Sequence, residues 1–436
     1  MTFLTVGVRS VVCVLLAAGV PSLVRATEAP HAWPENAFRP VTVDRIAALP
    51  AAEQPVWRAY WEKSQSFAKA LPARDLVDHS SNQRLAGPPI GASYSQGVKL
   101  HAAAAWYASE EARRIADRVV NWQLPAGGWT KSGDYARDRQ PSDDHHDAWS
   151  SGTFDNDSTI YELRYLALVI TAAEGDAAVR ADRRQAWRGS FGRGLDYVLA
   201  AQYPNGGFPQ VYPLVGWYHD AITYNDDAIV HILELLEDVC ARQKEFAFVD
   251  PTLAARAAPA LERGIGCVLA TQLRDAAGHR TVWGQQHDAL DLTPCAARNF
   301  EPISECSNES VGIVQFLMTV PNPSREIVAA VEGAMAWFPR HAIHGMKWIR
   351  RAPEGTDLQP APGAPDLWAR YYEIGTGKPI FGERDRRVYY SVAEISLERR
   401  NGYGWFNDRP DSLSRPYAKW KKSLSTSATT GTPPSR

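Results

Sequence analysis

Two short segments that keep returning constrain this chain more than any other feature. One ends a helix in a glycine turn followed by an aromatic. It appears as Gln123-Leu124-Pro125-Ala126-Gly127-Gly128-Trp129 and as Gln202-Tyr203-Pro204-Asn205-Gly206-Gly207-Phe208. Asn401-Gly402-Tyr403-Gly404-Trp405 is a looser copy, and Gln272 is placed to start another. Glycine suits such an end because it takes positive φ at no steric cost. The second segment opens a helix, as Asp155-Asn156-Asp157-Ser158-Thr159, Tyr224-Asn225-Asp226-Asp227-Ala228 and Ser307-Asn308-Glu309-Ser310-Val311. Apolar residues at helical spacing fill the intervals: Ala112, Ile115, Val119 and Trp122, then Ile160, Leu163, Ala167 and Ile170, then Ile229, Leu233 and Leu236. Alternating strands are scarce. Asn156, Asn225 and Asn308 lie 69 and 83 residues apart. That interval holds a helix pair with loops and is too long for a short solenoid repeat. Such pairs packed around an axis predict a mainly α chain, an α/α toroid or part of one. The acidic helix starts would then share one end. A non-toroidal helical array also fits the spacing.

The two ends read differently from the middle. Arg9, the apolar run Val11–Ala18, Pro21-Ser22 and Val24-Arg25-Ala26 follow the order of a secretory signal peptide over residues 1–26. A secreted or periplasmic location is expected. Residues 27–84 read as a separate N-terminal lead-in with one helix around Trp57–Phe67. Residues 408–436 read as a disordered tail, because Ser423 to Thr430 and Pro433-Pro434 lack apolar periodicity. Basic residues number 47 against 49 acidic ones, which argues against general nucleic-acid binding. No segment is long and apolar enough for stable membrane insertion, and a monomer is expected. Cleavage after Ala26 leaves Cys240, Cys267, Cys295 and Cys306. Cys295 and Cys306 are near enough in sequence to pair, and nothing in the spacing suggests structural zinc.

Each acidic helix start, taken alone, is first a helix cap. Taken together they form an acidic mouth whose carboxylates and amide oxygens suit a hard calcium ion. Asp155, Asn156 and Asp226 are the candidate ligands, with Asn225 a further ligand or a substrate donor. Asp143-Asp144-His145-His146-Asp147 looks metal-like but lacks the spacing of a hydrolytic zinc helix, so a solvated loop is the expected reading. Arg298 stands just before an acidic helix start and within reach of Glu301 or Glu305 for a salt bridge. Arg370, Arg384, Arg386 and Arg387 form a second basic region. Arginine grips carboxylates through two parallel hydrogen bonds, so several arginines facing several carboxylates suit an anionic sugar. Tyr135, Trp149, Trp217, Tyr218 and Tyr371 could cover sugar faces or simply pack between helices.

Over roughly residues 85–407 the sequence resembles the polysaccharide lyase family ten pectate lyases. The likeness rests on Trp122–Trp129, Thr153–Thr159, Ile222–Asp226, Trp283–Pro302, Trp368–Glu373 and Lys378–Arg387. It implies an incomplete α/α toroid with a small β region. It implies a catalytic domain over 85–407 that cleaves polygalacturonate, or pectate, by calcium-assisted anti-β-elimination to 4,5-unsaturated oligogalacturonides. Arg298 matches the family's catalytic base. Asp155, Asn156 and the Thr223–Asp226 segment match its calcium and substrate region: Asp226 is assigned to the metal, and Thr223 and Asn225 to substrate. The asparagine at 225 leaves open which of 225 and 226 ligates. Arg370 and Arg384 match substrate-binding arginines. An inverting glycoside hydrolase could use Asp155 and Asp226 as acid and base but gives Arg298 no chemical task. A non-catalytic oligogalacturonide-binding protein would need the arginines but no base.

Overall fold

The computed structural model describes residues 29–33, 39–69, 95–131, 133–140, 143, 151–351 and 354–430. The expected signal peptide, residues 144–147 of the acidic-histidine loop and Trp149 lie outside them. Twelve α-helices run in order among the described residues: α1 (Val43–Ala47), α2 (Gln54–Lys69), α3 (Ala104–Tyr107), α4 (Glu110–Trp122), α5 (Ile160–Ala172), α6 (Ala181–Ala201), α7 (Ala228–Ala241), α8 (Pro251–Thr271), α9 (Ser307–Thr319), α10 (Arg325–Arg340), α11 (Leu397–Gly402) and α12 (Ser414–Thr430).

Consecutive helices pair as hairpins, α5 with α6, α7 with α8 and α9 with α10. Within this set α5, α7 and α9 follow one another as an inner row, and α6, α8 and α10 form an outer row. Composition explains which helix goes where. The inner helix α7 buries Ile229, Val230, Ile232, Leu233, Leu235 and Leu236, residues that point around most of its circumference. The outer helix α8 buries Ala254, Ala257, Ala260, Gly264, Cys267 and Val268, a single stripe. The expected helical toroid, incomplete and with a small β region, is the architecture found.

The recurring glycine turn is the clamp between successive units. Gln123 Nε2, at the end of α4, donates to Gly127 O at 2.7 Å and to Ser190 O of α6 at 2.9 Å. Gln202, ending α6, repeats this with Gly206 O at 3.1 Å and Ala260 O of α8 at 2.8 Å. Gln272, ending α8, reaches Thr281 O at 2.9 Å and Ala330 O of α10 at 2.8 Å. Gly206 sits at φ +93°, and a Cβ there would lie 2.0 Å from Arg263 O. Only glycine allows that approach. The aromatic that follows each turn, Trp129, Phe208 or Trp283, is fully buried.

The small β region is a five-stranded antiparallel sheet. In spatial order its strands are His31–Ala32, Arg387–Tyr389, Pro379–Gly382, Tyr371–Tyr372 and Glu305–Cys306. A separate hairpin pairs Met346–Arg351 with Gly355–Pro360.

Three expectations change. The lead-in is not separate: Tyr60 Oη of α2 donates to Ala201 O at 2.9 Å, and Arg45 Nη2 bonds both oxygens of Asp288 at 2.7 and 2.8 Å. Local periodicity could not reveal this, because the partners come from distant parts of the chain. The tail is not disordered through residue 430. A 3-10 turn at Arg409–Leu413 leads into α12, and Leu413 and Trp420 are buried. Leu413 and Trp420, with Tyr417 and Leu424 packed beside them, anchor the segment to the core. Cys240, Cys267, Cys295 and Cys306 are all free thiols, so Cys295 and Cys306 are unpaired. Cys306 Sγ instead donates to Glu309 Oε2 at 2.6 Å. No helix among the described residues is long and apolar enough to cross a membrane.

Candidate active site

Two helix starts build the acidic half of the site. Gly152–Thr153 and Ile222–Thr223 are short strands, and each runs into a 3-10 turn, Asp155–Asp157 or Asn225–Asp227, ahead of α5 or α7. Both turns pass through the left-handed region, at Asn156 (φ +50°) and Asp157 (φ +62°), and at Asp226 (φ +54°) and Asp227 (φ +58°). Asn and Asp tolerate that conformation better than other side chains with a Cβ. The two turns lie against each other. Asp155, Asn156, Asn225 and Asp226 therefore meet at one cavity of about 200 Å³. Asp157 and Asp227 turn away, to His231 and to Arg409 Nη2 at 2.7 Å.

Asp155 is held from several sides. Its backbone N–H donates to Thr153 Oγ1 at 3.1 Å, its Oδ1 accepts Gln210 Nε2 at 2.7 Å, and its Oδ2 meets Lys131 Nζ. Asp226 is exposed at the cavity mouth. Desolvation by surrounding protein, and then the Asp155 charge, push its carboxyl up to about 6, while Arg370 and Arg298 pull the other way. Gln210 and Gln286 also line the cavity, and their buried Oε1 atoms have no donor. Two carboxylates and two unsatisfied amide oxygens are a hard donor set that fits calcium. Among the described residues no three His, Cys, Asp or Glu side chains cluster as metal ligands. A calcium ion here would take its remaining oxygens from amides, water or a substrate carboxylate.

Arg298 supplies the basic wall. It follows the strand Pro294–Cys295 in a tight turn closed by Glu301 N–H to Arg298 O at 2.8 Å. Its Nε donates to Glu301 Oε2 at 2.9 Å and its Nη2 to Oε1 at 2.6 Å, so of the two expected salt-bridge partners Glu301 is the one used. The arginine side chain is 46% exposed and the glutamate 3%, which leaves the guanidinium reachable from the cavity. Burial alone would lower the Arg298 pKa, but the Glu301 charge and hydrogen bonds outweigh it and raise it further above the ordinary arginine value. Burial would likewise lift Glu301, yet Arg298 and the Tyr403 hydroxyl hold its carboxyl down at about 2. Tyr218 lines the cavity beside them.

The other expected substrate residues fall elsewhere. Thr223 is fully buried in its strand and does not line the cavity, because its side chain points inward on a two-residue strand. Arg370 is 11% exposed and lies under the site, paired with the buried Glu309 and donating to Asn225 Oδ1 at 3.3 Å. Arg384 lies outside the cavity lining. Its Nη2 binds Glu398 at 2.9 Å, and it stacks 5.5 Å from the Phe300 ring, which Arg298 also covers at 4.9 Å. Tyr135 and Tyr371 are fully buried away from the cavity surface, and their hydroxyls donate to Glu162 Oε1 at 2.9 Å and to Gln285 Oε1. Lys131, Gln210, Gln285, Gln286 and Glu301 line the cavity without having been singled out as site residues. The repeat held the signal for three of them. Lys131, Gln210 and Gln285 each stand two residues after the buried aromatic of a glycine-turn unit.

A helical toroid with a carboxylate pair facing an arginine in one cleft is the arrangement expected of an enzyme of the polysaccharide lyase class. Comparison with known proteins agrees. Residues 123–414 match the family model described as pectic acid lyase, and the chain belongs to that family. A solved family 10 polysaccharide lyase from Cellvibrio cellulosa is similar at 30% identity and TM-score 0.64, over 74% of this chain and 97% of that one. An aspartate-to-alanine mutant of a family 10 lyase from the same organism, in complex with trigalacturonic acid, is similar at 31% identity and TM-score 0.63 over the same shares. No curated protein matches.

Proposed function

We propose that this lyase cleaves de-esterified α-1,4-linked polygalacturonate by calcium-assisted anti-β-elimination and leaves a 4,5-unsaturated end. The observation that carries the reading is the facing of Arg298 and the Asp155–Asp226 pair across one cavity. Asp155 and Asp226, with Asn156 and the Gln210 and Gln286 amide oxygens, are the groups that would hold calcium. Bound calcium would polarise the C6 carboxylate and stabilise charge developing at C5. Arg298 then takes the C5 proton, the C4–O4 bond breaks, and solvent protonates the departing oxygen. Arg298 can act only in its neutral form, and Glu301 opposes that form, so turnover rises toward alkaline pH. Arg384, whose Nε and Nη2 pair with Glu398, would bind a neighbouring uronate carboxylate through its remaining Nη1 edge.

A glycoside hydrolase reading would use Asp155 and Asp226 alone and would add water to the cleaved bond. Lys131 and Gln210 engage both oxygens of Asp155, which suits a side chain positioned as a ligand. The deciding assay follows ultraviolet absorbance of the conjugated uronate on polygalacturonate, with calcium and with a chelator. Unsaturated product that forms only with calcium supports the proposal. Saturated products, or full turnover in chelator, refute it. Arg298→Ala should abolish product formation while far-ultraviolet circular dichroism is unchanged.

A further inference from the structure

Glu301 is the most heavily bonded carboxylate at the site, yet no bond made or broken in the elimination involves it. Its Oε2 accepts the Arg298 backbone N–H and Nε, each at 2.9 Å. Its Oε1 accepts Arg298 Nη2 at 2.6 Å, Tyr403 Oη at 2.7 Å and Gln285 Nε2 at 3.1 Å. Five donors on one buried carboxylate leave it no freedom to rotate. The guanidinium is fixed in turn: two of its nitrogens are bound to Glu301, and its face lies 4.9 Å from Phe300 and 5.8 Å from Tyr403. Nη1 is the nitrogen that Glu301 does not hold.

The bonds continue toward the acidic wall. Gln285 Nε2 also donates to Asn225 Oδ1 at 2.6 Å, and Asn225 Nδ2 donates to Asp226 Oδ2 at 2.6 Å. Tyr371 Oη donates to Gln285 Oε1, which fixes which end of that amide faces Glu301. One unbroken path therefore runs Arg298, Glu301, Gln285, Asn225, Asp226. It ties the arginine on one side of the cavity to the acidic turn on the other.

We propose that Glu301 is a positioning residue for the lyase reaction: it aims the Arg298 guanidinium and, through Gln285, sets its distance from the turn that carries Asn225 and Asp226. The proposal rests on the reading of Arg298 as the base. Its chemical consequence has two parts that oppose each other. The rigid fork gives Arg298 one attack geometry, which favours a high limiting rate. The same anion stabilises the protonated guanidinium, which moves activity to higher pH. The charged and titratable groups around Arg298 are Glu301 from its own turn, Tyr218 from the Trp217–Asp220 turn, Tyr403 after α11, Arg384 and Arg399 on the shared Phe300 ring, Arg370 on the shared Tyr403 ring and, lining the same cavity, Lys131, Asp155 and Asp226.

The test is Glu301→Gln in the full chain, with kcat, KM and the pH profile measured on polygalacturonate and calcium binding followed by calorimetry. The expected result is a roughly 10- to 100-fold lower limiting kcat, on the order of what misaimed catalytic groups lose. The acid limb should move to lower pH, with KM and calcium affinity within about twofold of wild type. A merely structural carboxylate would lower the melting temperature without moving that limb. In an Arg298→Lys background the same substitution should cost little more, because the two residues act as one unit. An unshifted limb, or a full additional loss in the Arg298→Lys background, overturns the proposal. If Glu301→Gln does not fold, Tyr403→Phe and Gln285→Ala each remove one of the five donors, and each should lower kcat severalfold without raising KM. Wild-type kcat in both would also overturn it. A normal rate in Arg298→Ala would instead overturn the base assignment, an outcome separable from these.

Discussion

Replacing Arg370 by methionine tests whether this arginine works under the site or on the substrate. Its side chain is 11% exposed and its partner Glu309 is fully buried. The remaining polar neighbours of Glu309 are weak or already committed: Cys306 Sγ at 2.6 Å and Asn308 Nδ2 at 3.3 Å. A methionine side chain at this position would fill much of the space and leave the Glu309 carboxylate without its counter-charge. Breaking a buried pair by removing one partner costs about 3–5 kcal/mol. For a body of this size each kcal/mol moves the melting temperature by roughly 2 °C, so the expected drop is on the order of 6–10 °C. The Asn225 turn should loosen with it, since Arg370 also bonds Asn225. Thermal melts by circular dichroism give the first number, and calcium calorimetry reports the second effect as weakened binding. Adding Glu309→Gln removes the stranded charge and should restore at least half the lost melting temperature. An unchanged melting temperature together with a raised KM would refute this reading and return Arg370 to direct substrate binding.

Asp155→Ala and Asp226→Ala should each weaken calcium binding at least about tenfold by calorimetry, with helicity retained; wild-type affinity in both would remove them from the ligand set. Arg384→Lys keeps the charge but loses the planar fork, so KM on polygalacturonate should rise severalfold while calcium affinity is unchanged. Gly206→Ala places a Cβ 2.0 Å from Arg263 O at φ +93°. A loss of about 2–3 kcal/mol in denaturant unfolding is expected, and a loss under about 0.5 kcal/mol would show that the turn can relax. Asp220 provides a pH test, because burial pushes its carboxyl up to about 7 despite backbone N–H donors from Gly216, Val41 and Val215. The folded value lies above the unfolded one, so its stabilising share is complete below about pH 4 and is lost as pH rises through about 7. Between about pH 5 and pH 8, urea unfolding should show wild type losing up to about 3 kcal/mol relative to Asp220→Asn; parallel midpoints would refute it.

The periodic part of this molecule was readable because it is locally encoded. Helix spacing, the glycine turns and the acidic starts each occupy a few neighbouring residues, and together they place Asp155, Asn156 and Asp226 at one cleft. Arg298 was readable through family likeness and through its nearness in sequence to Glu301. What stayed hidden depends on partners far apart in the chain. Arg370 looks like any arginine among aromatics until Glu309, 61 residues away, is found against it. Thr223 sits two residues before Asn225, and nothing local says that its strand faces inward. The lead-in and α12 owe their order to the segments that receive them, such as Asp288 for Arg45.

The second position after each buried aromatic sharpens the point. The same turn delivers Lys131, Gln210 and Gln285 into one cavity, yet each copy uses its side chain differently. Lys131 meets Asp155, Gln210 donates to Asp155, and Gln285 bridges Glu301 to Asn225. The backbone of the repeat sets where a side chain arrives, and its chemistry sets what it does there. A toroid built from such units converts a local helix-ending motif into a ring of functional positions. One copy can hold Asp155 while another ties Glu301 to Asn225, and the fold need not change between them.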